Sequence, residues 1–524
     1  MTINPLTSPT DHVASLEMDS EPELQEGHDM VLTQKARPPA LRGLYAQYFV
    51  VGLVCGVLPG TLYGFFMGYL HVDAHVYVTA MQVIALPWSF KFAYGILNDC
   101  VPLKGYRRKP YMVIGWTICA AALAALANVQ MPPRDDKGAA GAFAARMTMA
   151  AVGYVMADVA ADSLVVQYAK DEPLQIRGTL QANMYLVRTI GSIAAALFVG
   201  IGMNGTAYNG SFSFTLSFSQ VCGCLAVPAV VMAPVSWLYI DEPVDDEPVS
   251  SVRVYLSECW DIIKSKAMFY IIVYNFGHAV IGDIYTTAGA NVSLVWAGVE
   301  NLQAKLFSVV AMAIFASGIA VVKKYFLNTS WRKILCVTTL LLGTVDAIFA
   351  YCTIFDVVRN QYFFLGEEII VMVPAAARFL VTTFVVVEVS PSGKEGITYG
   401  MLTTIHNLGG PIARAISNQI FGLGFTGLST AQNYVEDSPA FRREVAWSYA
   451  VGYAAGLLAL AFLFFLPDQK VDAQHRVKHW PSSKRYAQVT LTVVSVCWVY
   501  AVTVNLLAMF PSTSCSQWVG GDGC

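Results

Sequence analysis

One stretch decides the fold of this chain: PWSFKFAYGILNDCVPLKGYRRKP, residues 87–110. It begins as the end of an apolar helix that carries Lys91, continues into a short loop with Asp99 and the basic residues 107–109, and leads directly into a second apolar run. A charge inside a membrane helix is costly and is usually functional. A dense basic cluster between two closely spaced spans is typical of the cytoplasmic side. The stretch therefore predicts a cytoplasmic hairpin of a multi-pass membrane protein.

The composition agrees with a membrane protein. Hydrophobic residues make up 56% and charged residues 13% of the 524 residues, about half of the ~25% charge of soluble domains. No basic face is interleaved with aromatic residues, so nucleic-acid binding is not expected. The sequence has no Gly-rich phosphate loop, no zinc-protease motif and no nucleophile elbow, and its eight histidines are scattered. We therefore expect neither an enzyme nor a bound metal or cofactor.

Twelve apolar runs are long enough to cross a bilayer, which takes about 20 residues. They lie near 44–70, 76–98, 110–130, 142–169, 178–203, 216–240, 268–290, 303–325, 332–356, 365–390, 396–424 and 443–466. A further run at 487–510 predicts a thirteenth span. The basic loops place the N-terminus in the cytosol by the positive-inside rule, although Arg442 and Arg443 run against it.

These runs predict the domain organisation. Residues 1–43 are polar and acidic and are predicted to be a disordered cytosolic tail. Residues 44–240 form an N-terminal six-helix half, 241–266 a cytosolic linker, and 267–466 a C-terminal six-helix half. Residues 467–524 hold a basic cytosolic segment, the thirteenth span and a short outer tail, in which Cys515 and Cys524 could form a disulfide.

The two halves share a sequence pattern. Pro173, Arg177-Gly178 and Gly191 recur 218 positions later as Pro391, Glu395-Gly396 and Gly409. Spans five and eleven therefore correspond to each other, as duplication of a six-helix unit in parallel orientation predicts.

Span one carries a glycine at every fourth position: Gly52, Gly56, Gly60, Gly64 and Gly68. A stripe of small residues on one helix face allows another helix to approach closely. We interpret the stripe as a packing surface, with a substrate-lining or flexing role as the alternative.

Charged side chains lie inside spans two, four and five of the N-terminal half. Lys91 lies in span two and Arg188 in span five, and Asp158 and Asp162 share one face of span four. Two carboxylates so placed repel each other, and one of them can serve as a proton-binding group. The alternatives are that Lys91 extends to the interface, or that the carboxylates only pair with Lys91 or Arg188 and hold helices together.

The C-terminal half carries Arg378 in span ten and Arg414 in span eleven. Arginine keeps its charge and binds carboxylates with a planar fork, so these residues indicate an anionic substrate. The alternative is that each arginine pairs with a helix carboxylate such as Asp283 or Glu388.

Span seven adds Asn275, His278 and Asp283 to the candidate substrate-binding or proton-coupling residues. Asn275 and His278 are three residues apart and share a helix face. A lone histidine is more often a packing residue than a functional one, so both interpretations stay open.

Loop residues are candidates for gating. Asp99 can form a charge relay with Arg107 and Arg108 between the cytoplasmic ends of helices, and Glu395 can do the same in the second half. Such contacts would stabilise one of two conformational states.

The opening stretch resembles the signature of the folate–biopterin transporter family of the major facilitator superfamily. The resemblance rests on Pro87-Trp88, Lys91, Tyr94-Gly95, Asp99, Pro102, Gly105-Tyr106-Arg107-Arg108 and Pro110. Further agreement lies in Gly56-Val-Leu-Pro59, Asp158-Val-Ala-Ala-Asp162-Ser and Pro391-Ser-Gly393-Lys-Glu395-Gly396, and the similarity covers about residues 45–466. The resemblance implies an all-α major-facilitator bundle of six plus six helices, from which the extra C-terminal span departs.

The resemblance also implies secondary active transport of folates or unconjugated pterins by alternating access, driven by protons. On this hypothesis Asp158 or Asp162 binds the pterin ring or the coupling proton. Lys91, Arg188, Arg378 and Arg414 bind the glutamate tail of folate or neutralise the carboxylates. A carrier of another solute, such as S-adenosylmethionine, is an alternative. A non-transporting receptor or scaffold is less compatible with buried charge in both halves. We expect the plasma membrane, with an internal membrane as the alternative.

Overall fold

The computed structural model describes residues 38–170, 179–242, 251–326, 329–390 and 395–524. Within these ranges the named elements are all helical. The α-helices are α1 Pro38–Leu62, α2 Ala74–Ala85, α3 Lys91–Cys100, α4 Lys109–Asn128, α5 Ala140–Lys170, α6 Thr179–Gly202, α7 Phe218–Leu238, α8 Val252–Ile263, α9 Lys266–Gly282, α10 Gly289–Asn291, α11 Asn301–Tyr325, α12 Trp331–Ile354, α13 Gln361–Ile370, α14 Met372–Val389, α15 Glu395–Gly424, α16 Ala431–Glu436, α17 Pro439–Ala459, α18 Lys470–His479 and α19 Lys484–Met509.

Shorter helical turns join or extend these helices. Tyr63–Tyr69 and Val292–Trp296 are π-helical, and Lys137–Ala139, Leu86–Phe90, Thr206–Tyr208, Leu460–Phe464 and Gln517–Val519 are 3₁₀-helical. Most of the predicted tail lies outside the described residues, and α1 begins at Pro38, six residues before the predicted first span. The predicted linker contains α8, and the second half starts with α9 at Lys266.

Nine helical stretches of the described residues are long and apolar enough to cross a membrane. They are Leu41–Tyr69, Lys109–Asn128, Lys137–Tyr168, Asn183–Gly202, Phe218–Leu238, Asn301–Val322, Trp331–Ile354, Pro439–Phe464 and Lys484–Met509. The last stretch coincides with the predicted thirteenth span. The other four predicted spans differ from continuous apolar helices: 76–98, 268–290 and 365–390 are broken into shorter pieces, and 396–424 is one helix with several polar residues.

The break in span two follows from Pro87, which has no backbone N–H to donate within a helix. The chain runs from α2 through a 3₁₀ turn into α3. The backbone around this turn bonds to α15 of the other half: Asn407 donates to the Trp88 carbonyl at 3.2 Å, and the Phe92 N–H donates to Thr404 Oγ1 at 3.1 Å. The break therefore joins the two halves of the protein along spans two and eleven.

The glycine stripe of α1 is a packing surface. A Cβ atom at Gly52 would lie 2.0 Å from the Arg188 carbonyl oxygen, and one at Gly56 would lie 2.6 Å from the Ala195 side chain. Gly191 of span five and Gly409 of span eleven, which correspond in the repeat, also lie at close helix contacts. A Cβ atom at Gly191 would clash with Phe49, and a Cβ atom at Gly409 would clash with Ala279. Backbones of α1 with α6, and of α9 with α15, approach closely because these positions lack side chains.

The buried hydrophobic residues form distinct clusters. The largest contains residues from Val50 to Met232 together with Met509 of α19. A second cluster contains residues from Ile262 to Ala487, the latter also on α19. The thirteenth span thus packs against both halves rather than lying apart from them.

Candidate functional site

Four charged residues that the sequence singled out meet in the N-terminal half. Lys91 Nζ lies 3.4 Å from Asp158 Oδ2 and 3.3 Å from Asp162 Oδ2. Arg188 Nη1 lies 3.2 Å from Asp158 Oδ1. Asp158 is fully buried, whereas the side chain of Asp162 is 23% exposed. We call these four residues the N-half ion cluster.

The local sequence explains why these residues meet. The 3₁₀ turn after Pro87 places Lys91 at the first position of α3, deep in span two. Asp158 and Asp162 are four residues apart on α5 and therefore share one face. Gly52 lets α1 touch the backbone of α6 at Arg188, which holds that helix close to α5.

Aromatic side chains enclose the cluster. The Trp88 ring centroid lies 4.6 Å from Lys91 Nζ and 5.0 Å from Arg188 Cζ, so both cations face the electron-rich ring. The Tyr48 hydroxyl donates to Asp162 Oδ1 at 2.6 Å. The sequence reasoning did not single out Tyr48, and it named Trp88 only as part of the family motif and not as a site residue.

The N-half ion cluster balances two acids against two bases. Each carboxylate has a cationic partner, which offsets part of the cost of removing the charges from water. The geometry is compatible with a static ion pair and equally with proton exchange at Asp162, the carboxylate that is partly exposed.

The C-terminal half arranges its charges differently. Arg414 is 2% exposed, and its Cζ lies 4.0 Å from the centroid of the Tyr285 ring. Its Nε and Nη1 atoms have no hydrogen-bond partner among the described residues. In the part of the chain that the structure describes, no carboxylate lies within 4.0 Å of the guanidinium of Arg414 or Arg378. Among the described residues neither arginine therefore forms a direct ion pair with Asp283 or Glu388, whereas Arg188 pairs with the helix carboxylate of Asp158.

The span-seven candidates lie on or next to α9. Asn275 and His278 are buried on α9, and His278 Nε2 has no partner among the described residues. Asp283 follows the last residue of α9 and lies within electrostatic range of Arg378 and Arg414. The structure therefore brings Asp283 near both arginines without a direct ion pair. We call Asp283, Arg378 and Arg414 the C-half charge group.

A cavity of about 1090 Å³ opens beside this group. It is enclosed by residues of α9, α12, α13, α14 and α17 and by the loop after α9, and Arg378 and Tyr285 line it. Asp346 and Glu367 also line it, and the Tyr453 hydroxyl donates to Asp346 Oδ2 at 2.7 Å. The sequence reasoning missed both acids, although an acid inside an apolar run was the signal that identified Asp158.

A family model described as the BT1 family matches residues 52–482. The chain belongs to the BT1 family. A protein named "Probable folate-biopterin transporter 4" from Arabidopsis thaliana is 28% identical over 123 residues, 24% of each chain. A folate-biopterin transporter from Synechocystis sp. is 22% identical over 347 residues, 63% of this chain and 64% of that protein. The matched segments span less than two thirds of either relative.

Solved structures confirm the fold expected for this BT1-family chain. A D-xylose-proton symporter superposes with a TM-score of 0.58 at 12% identity, covering 82% of this chain and 98% of that one. The nucleoside transporter NupG superposes with a TM-score of 0.56 at 14% identity, covering 81% and 98%. The chain is an integral multi-pass membrane protein with a major-facilitator fold, and the prediction of the folate–biopterin family is confirmed.

The gating candidates of the BT1-family chain lie where α3 meets α4. Arg108 Nη2 is 3.8 Å from Asp99 Oδ1, and Arg108 also contacts Gln167 of α5. The carboxylate of Glu242, which the sequence reasoning did not name, accepts from the backbone N–H groups of Arg107, Arg108 and Lys109 at 2.8–3.2 Å. It thereby satisfies donors that the first turn of α4 leaves free. The side chain of Glu395 lies outside the described residues.

A third group of charges lies in the loops before α13 and α17 and in the first turn of α17. Arg359 and Arg442 both bind Asp437, at 2.6 and 2.5 Å, and each lies 3.5 Å from Asp356. Partial burial of Asp437 opposes ionisation, but the hydrogen bonds from both arginines outweigh it and hold its pKa at about 2. We call these four residues the loop ion cluster. It explains why Arg442 sits in a predicted outer loop: its charge is neutralised there.

Proposed function

We propose that this chain carries folates or unconjugated pterins across a membrane by alternating access, coupled to protons. The family and the fold support transport, because the matched relatives are named folate-biopterin transporters and the matched structures are transporters. The observation that supports the substrate class is the C-half charge group: Arg378 lines a large cavity, Arg414 packs against Tyr285 in the wall of that cavity, and neither arginine has a carboxylate within salt-bridge distance among the described residues.

A buried arginine without a counter-ion costs several kcal/mol of desolvation. An anionic ligand in the cavity would supply that counter-ion and could accept two hydrogen bonds from one guanidinium fork. Folate brings two carboxylates on its glutamate tail. Its pterin ring brings an amidine-like donor edge, which a carboxylate recognises, and a flat face that stacks on aromatic rings. Asp346, Glu367 and Tyr453 line the same cavity and offer those groups.

In this proposal the N-half ion cluster handles the coupling proton. Asp162 is the carboxylate that is partly exposed, and it is held by Lys91 at 3.3 Å and by Tyr48 at 2.6 Å. Protonating Asp162 would remove one charge from a balanced set and release Lys91 from one of its two partners. Protonation would then shift the equilibrium between the two conformational states, because the two states expose different charged side chains to water. The contact between Asp99 and Arg108 would serve as a gating group at the predicted cytoplasmic end.

One observation favours a second candidate solute. Asp346 and Glu367 have no basic partner within salt-bridge distance among the described residues, and tyrosines 351, 449 and 453 line the cavity with them. Acids and aromatic faces suit a cation. S-adenosylmethionine, with its sulfonium group, is therefore the alternative to test.

The test is a competition experiment in proteoliposomes that hold the purified full-length chain. Labelled folate, biopterin and S-adenosylmethionine are each offered, with and without an imposed proton gradient, and the unlabelled compounds are added in excess as competitors. We expect saturable uptake of folate and biopterin that the gradient stimulates and that unlabelled folate and biopterin suppress. Protein that is folded but takes up neither folate nor biopterin would overturn the proposal. Uptake of S-adenosylmethionine alone would replace it with the second candidate.

A further inference from the structure

The thirteenth span lies along the seam between the two halves. The Trp498 ring of α19 packs edge-on against Phe90 of span two, with centroids 5.5 Å apart. On the other side, Tyr500 donates to Gln419 at 2.5 Å and Asn505 donates to the Pro411 carbonyl at 2.8 Å, both on α15. These contacts place α19 beside both of the spans whose relative motion a major-facilitator carrier needs.

The segment after α19 folds back over the predicted outer end of this seam and is bound to the C-terminal half. Asp522 accepts from the Gly427 N–H at 2.9 Å and from the Thr430 hydroxyl. The Ser429 hydroxyl donates to the Gly520 carbonyl at 3.1 Å. Val519 is buried with Ala415 of α15. The segment is therefore anchored to the loop that follows α15.

The same segment also contacts the N-terminal half. His75, at the start of α2, is 1% exposed, and its Nε2 atom lies 2.9 Å from the Ser514 carbonyl oxygen. Gly520 has φ +100, a left-handed conformation that favours glycine. A Cβ atom there would lie 3.1 Å from His75 Cβ and 3.0 Å from Asn418 Cβ, so this residue fits between the two halves.

A disulfide between Cys515 and Cys524 closes the segment into a loop, which confirms the disulfide expected there. Ser514, which reaches α2, and Asp522, which holds the loop after α15, are thereby tied to each other. A cross-link of this kind reduces the conformational freedom of the loop. Without the disulfide, the contacts of Ser514 and Asp522 would form independently of each other, and the link between the two halves would be weaker.

We propose that the disulfide-closed loop 514–524 is an outer latch, which holds α2 against α15 and favours the state closed at the predicted outer side. The proposal rests on the alternating-access function proposed above, because only a carrier needs this seam to open. The loop makes more bonds to the C-terminal half. It would therefore move with α15, and its contacts with His75 would break on outward opening.

Two backbone bonds report on the latch directly. The Ala74 N–H donates to the Ser429 carbonyl at 3.1 Å and so joins the two halves. The Gly427 N–H donates to Asp522 at 2.9 Å and so joins the latch to its anchor. Amide hydrogen exchange of the peptides that contain them measures how often each bond opens.

The experiment measures hydrogen exchange by mass spectrometry on the full-length protein without substrate. It compares oxidised wild type, wild type reduced with a phosphine, and the double variant Cys515→Ser/Cys524→Ser. We expect exchange about tenfold faster in the peptides around residues 74–77 and 427–430 in both latch-free samples, because about one hydrogen bond's worth of stability is lost. Exchange in α4 should not change. Cys224→Ser, which removes an exposed thiol on α7, is the matched control and should behave as wild type.

Unchanged exchange near residue 74 after reduction would overturn the latch. Reduction of the wild-type protein keeps the test valid if the double variant does not fold, and reoxidation should reverse the effect. Because no substrate is present, the exchange result is independent of the transport assay. If the protein takes up neither folate nor biopterin but exchange near residue 74 is still faster after reduction, the latch is supported and only the proposed solute is rejected.

Discussion

The N-half ion cluster and the C-half charge group carry similar residue types in the same fold, yet one is paired and the other is not. In the first, Asp158 lies within 3.4 Å of Lys91 and 3.2 Å of Arg188. In the second, Arg414 is just as deeply buried, but two of its N–H groups have no partner among the described residues. The sequence repeat pairs Arg188 with His406, so the two halves diverged at corresponding positions.

On the proposed function, the paired charges stabilise the fold, and the unpaired arginines are the groups that bind the substrate. A balanced cluster contributes to the folded state, and removing one member leaves an uncompensated charge. An unpaired arginine weakens the folded state, and removing it relieves that cost. Mutations in the two regions should therefore change stability in opposite directions. The loop ion cluster also consists of two acids and two bases, but it lies in loops and in the first turn of α17, which makes it a natural control.

The largest effect is expected for Asp158→Asn. The substitution removes the fully buried carboxylate that Lys91 and Arg188 share. Breaking a buried pair costs about 3–5 kcal/mol, and concentrative uptake of folate should be abolished while the protein still reaches the membrane. Thermal unfolding in nanodiscs and uptake under a proton gradient check both outcomes. Asp437→Asn in the loop ion cluster is the control and should lose about 1 kcal/mol. Equal losses of stability in Asp158→Asn and Asp437→Asn, or normal pH-dependent uptake by Asp158→Asn, would contradict the role assigned to the N-half ion cluster.

The second largest effect is expected for Arg414→Met. The variant removes a buried charge with no counter-ion, so its melting temperature should equal or exceed that of wild type. Its KM for folate should rise by about 10- to 100-fold, since hydrogen bonds to a charged group are worth about 1.5–3 kcal/mol. Arg359→Met removes a paired arginine of the loop ion cluster and should lower the melting temperature without changing KM. A clear loss of stability in Arg414→Met would mean that this arginine has a partner of its own.

A smaller effect is expected for Tyr453→Phe. The variant loses the hydroxyl that donates to Asp346 at 2.7 Å in the cavity, a bond worth about 1 kcal/mol. If the cavity holds the pterin ring, inhibition of folate uptake by biopterin should weaken about fivefold. Tyr351→Phe, on the same cavity wall but without a bond to Asp346, is the control. The same loss of biopterin inhibition in both variants would remove Asp346 from the proposed site.

The smallest effect concerns acid stability through the loop ion cluster. The pKa of Asp437 is about 2 in the folded protein and about 3.9 in an unfolded chain. The pKa is lowered on folding, so the stabilisation is fully present above about pH 4 and is lost as the pH falls towards 2. Wild type should therefore exceed Asp437→Asn by about 1 kcal/mol at pH 5, and the gap should shrink at pH 3. A gap that grows on acidification would contradict the assigned ion pairs.

The sequence predicted the parts of the site that follow from single helices. Asp158 and Asp162 share a face by their spacing, and Lys91 stands out in an apolar run, so these residues could be found without a structure. Their pairing with Lys91 or Arg188 was one of the alternatives that the sequence left open, and the structure has both pairs. The unpaired state of Arg414 could not be predicted, since it depends on which carboxylates other helices bring near.

The sequence also predicted thirteen hydrophobic runs, but not how they are interrupted. Pro87 is visible in the sequence, but the sequence does not show that Thr404 and Asn407 of the other half bind the backbone at this break. Asp346 and Glu367 were not predicted, because the substrate was inferred from basic residues that bind an anion. Their shared cavity arises from the packing of α12, α13 and α17, which no local pattern describes.

The most direct test of the difference between the two halves is equilibrium binding of labelled folate to purified Asp158→Asn and Arg414→Met, with no gradient and no turnover. If the charges of the first half balance each other and those of the second await the substrate, Asp158→Asn will bind folate nearly as tightly as wild type, and Arg414→Met will bind it at least tenfold more weakly. Loss of binding in Asp158→Asn together with normal binding in Arg414→Met would contradict this assignment.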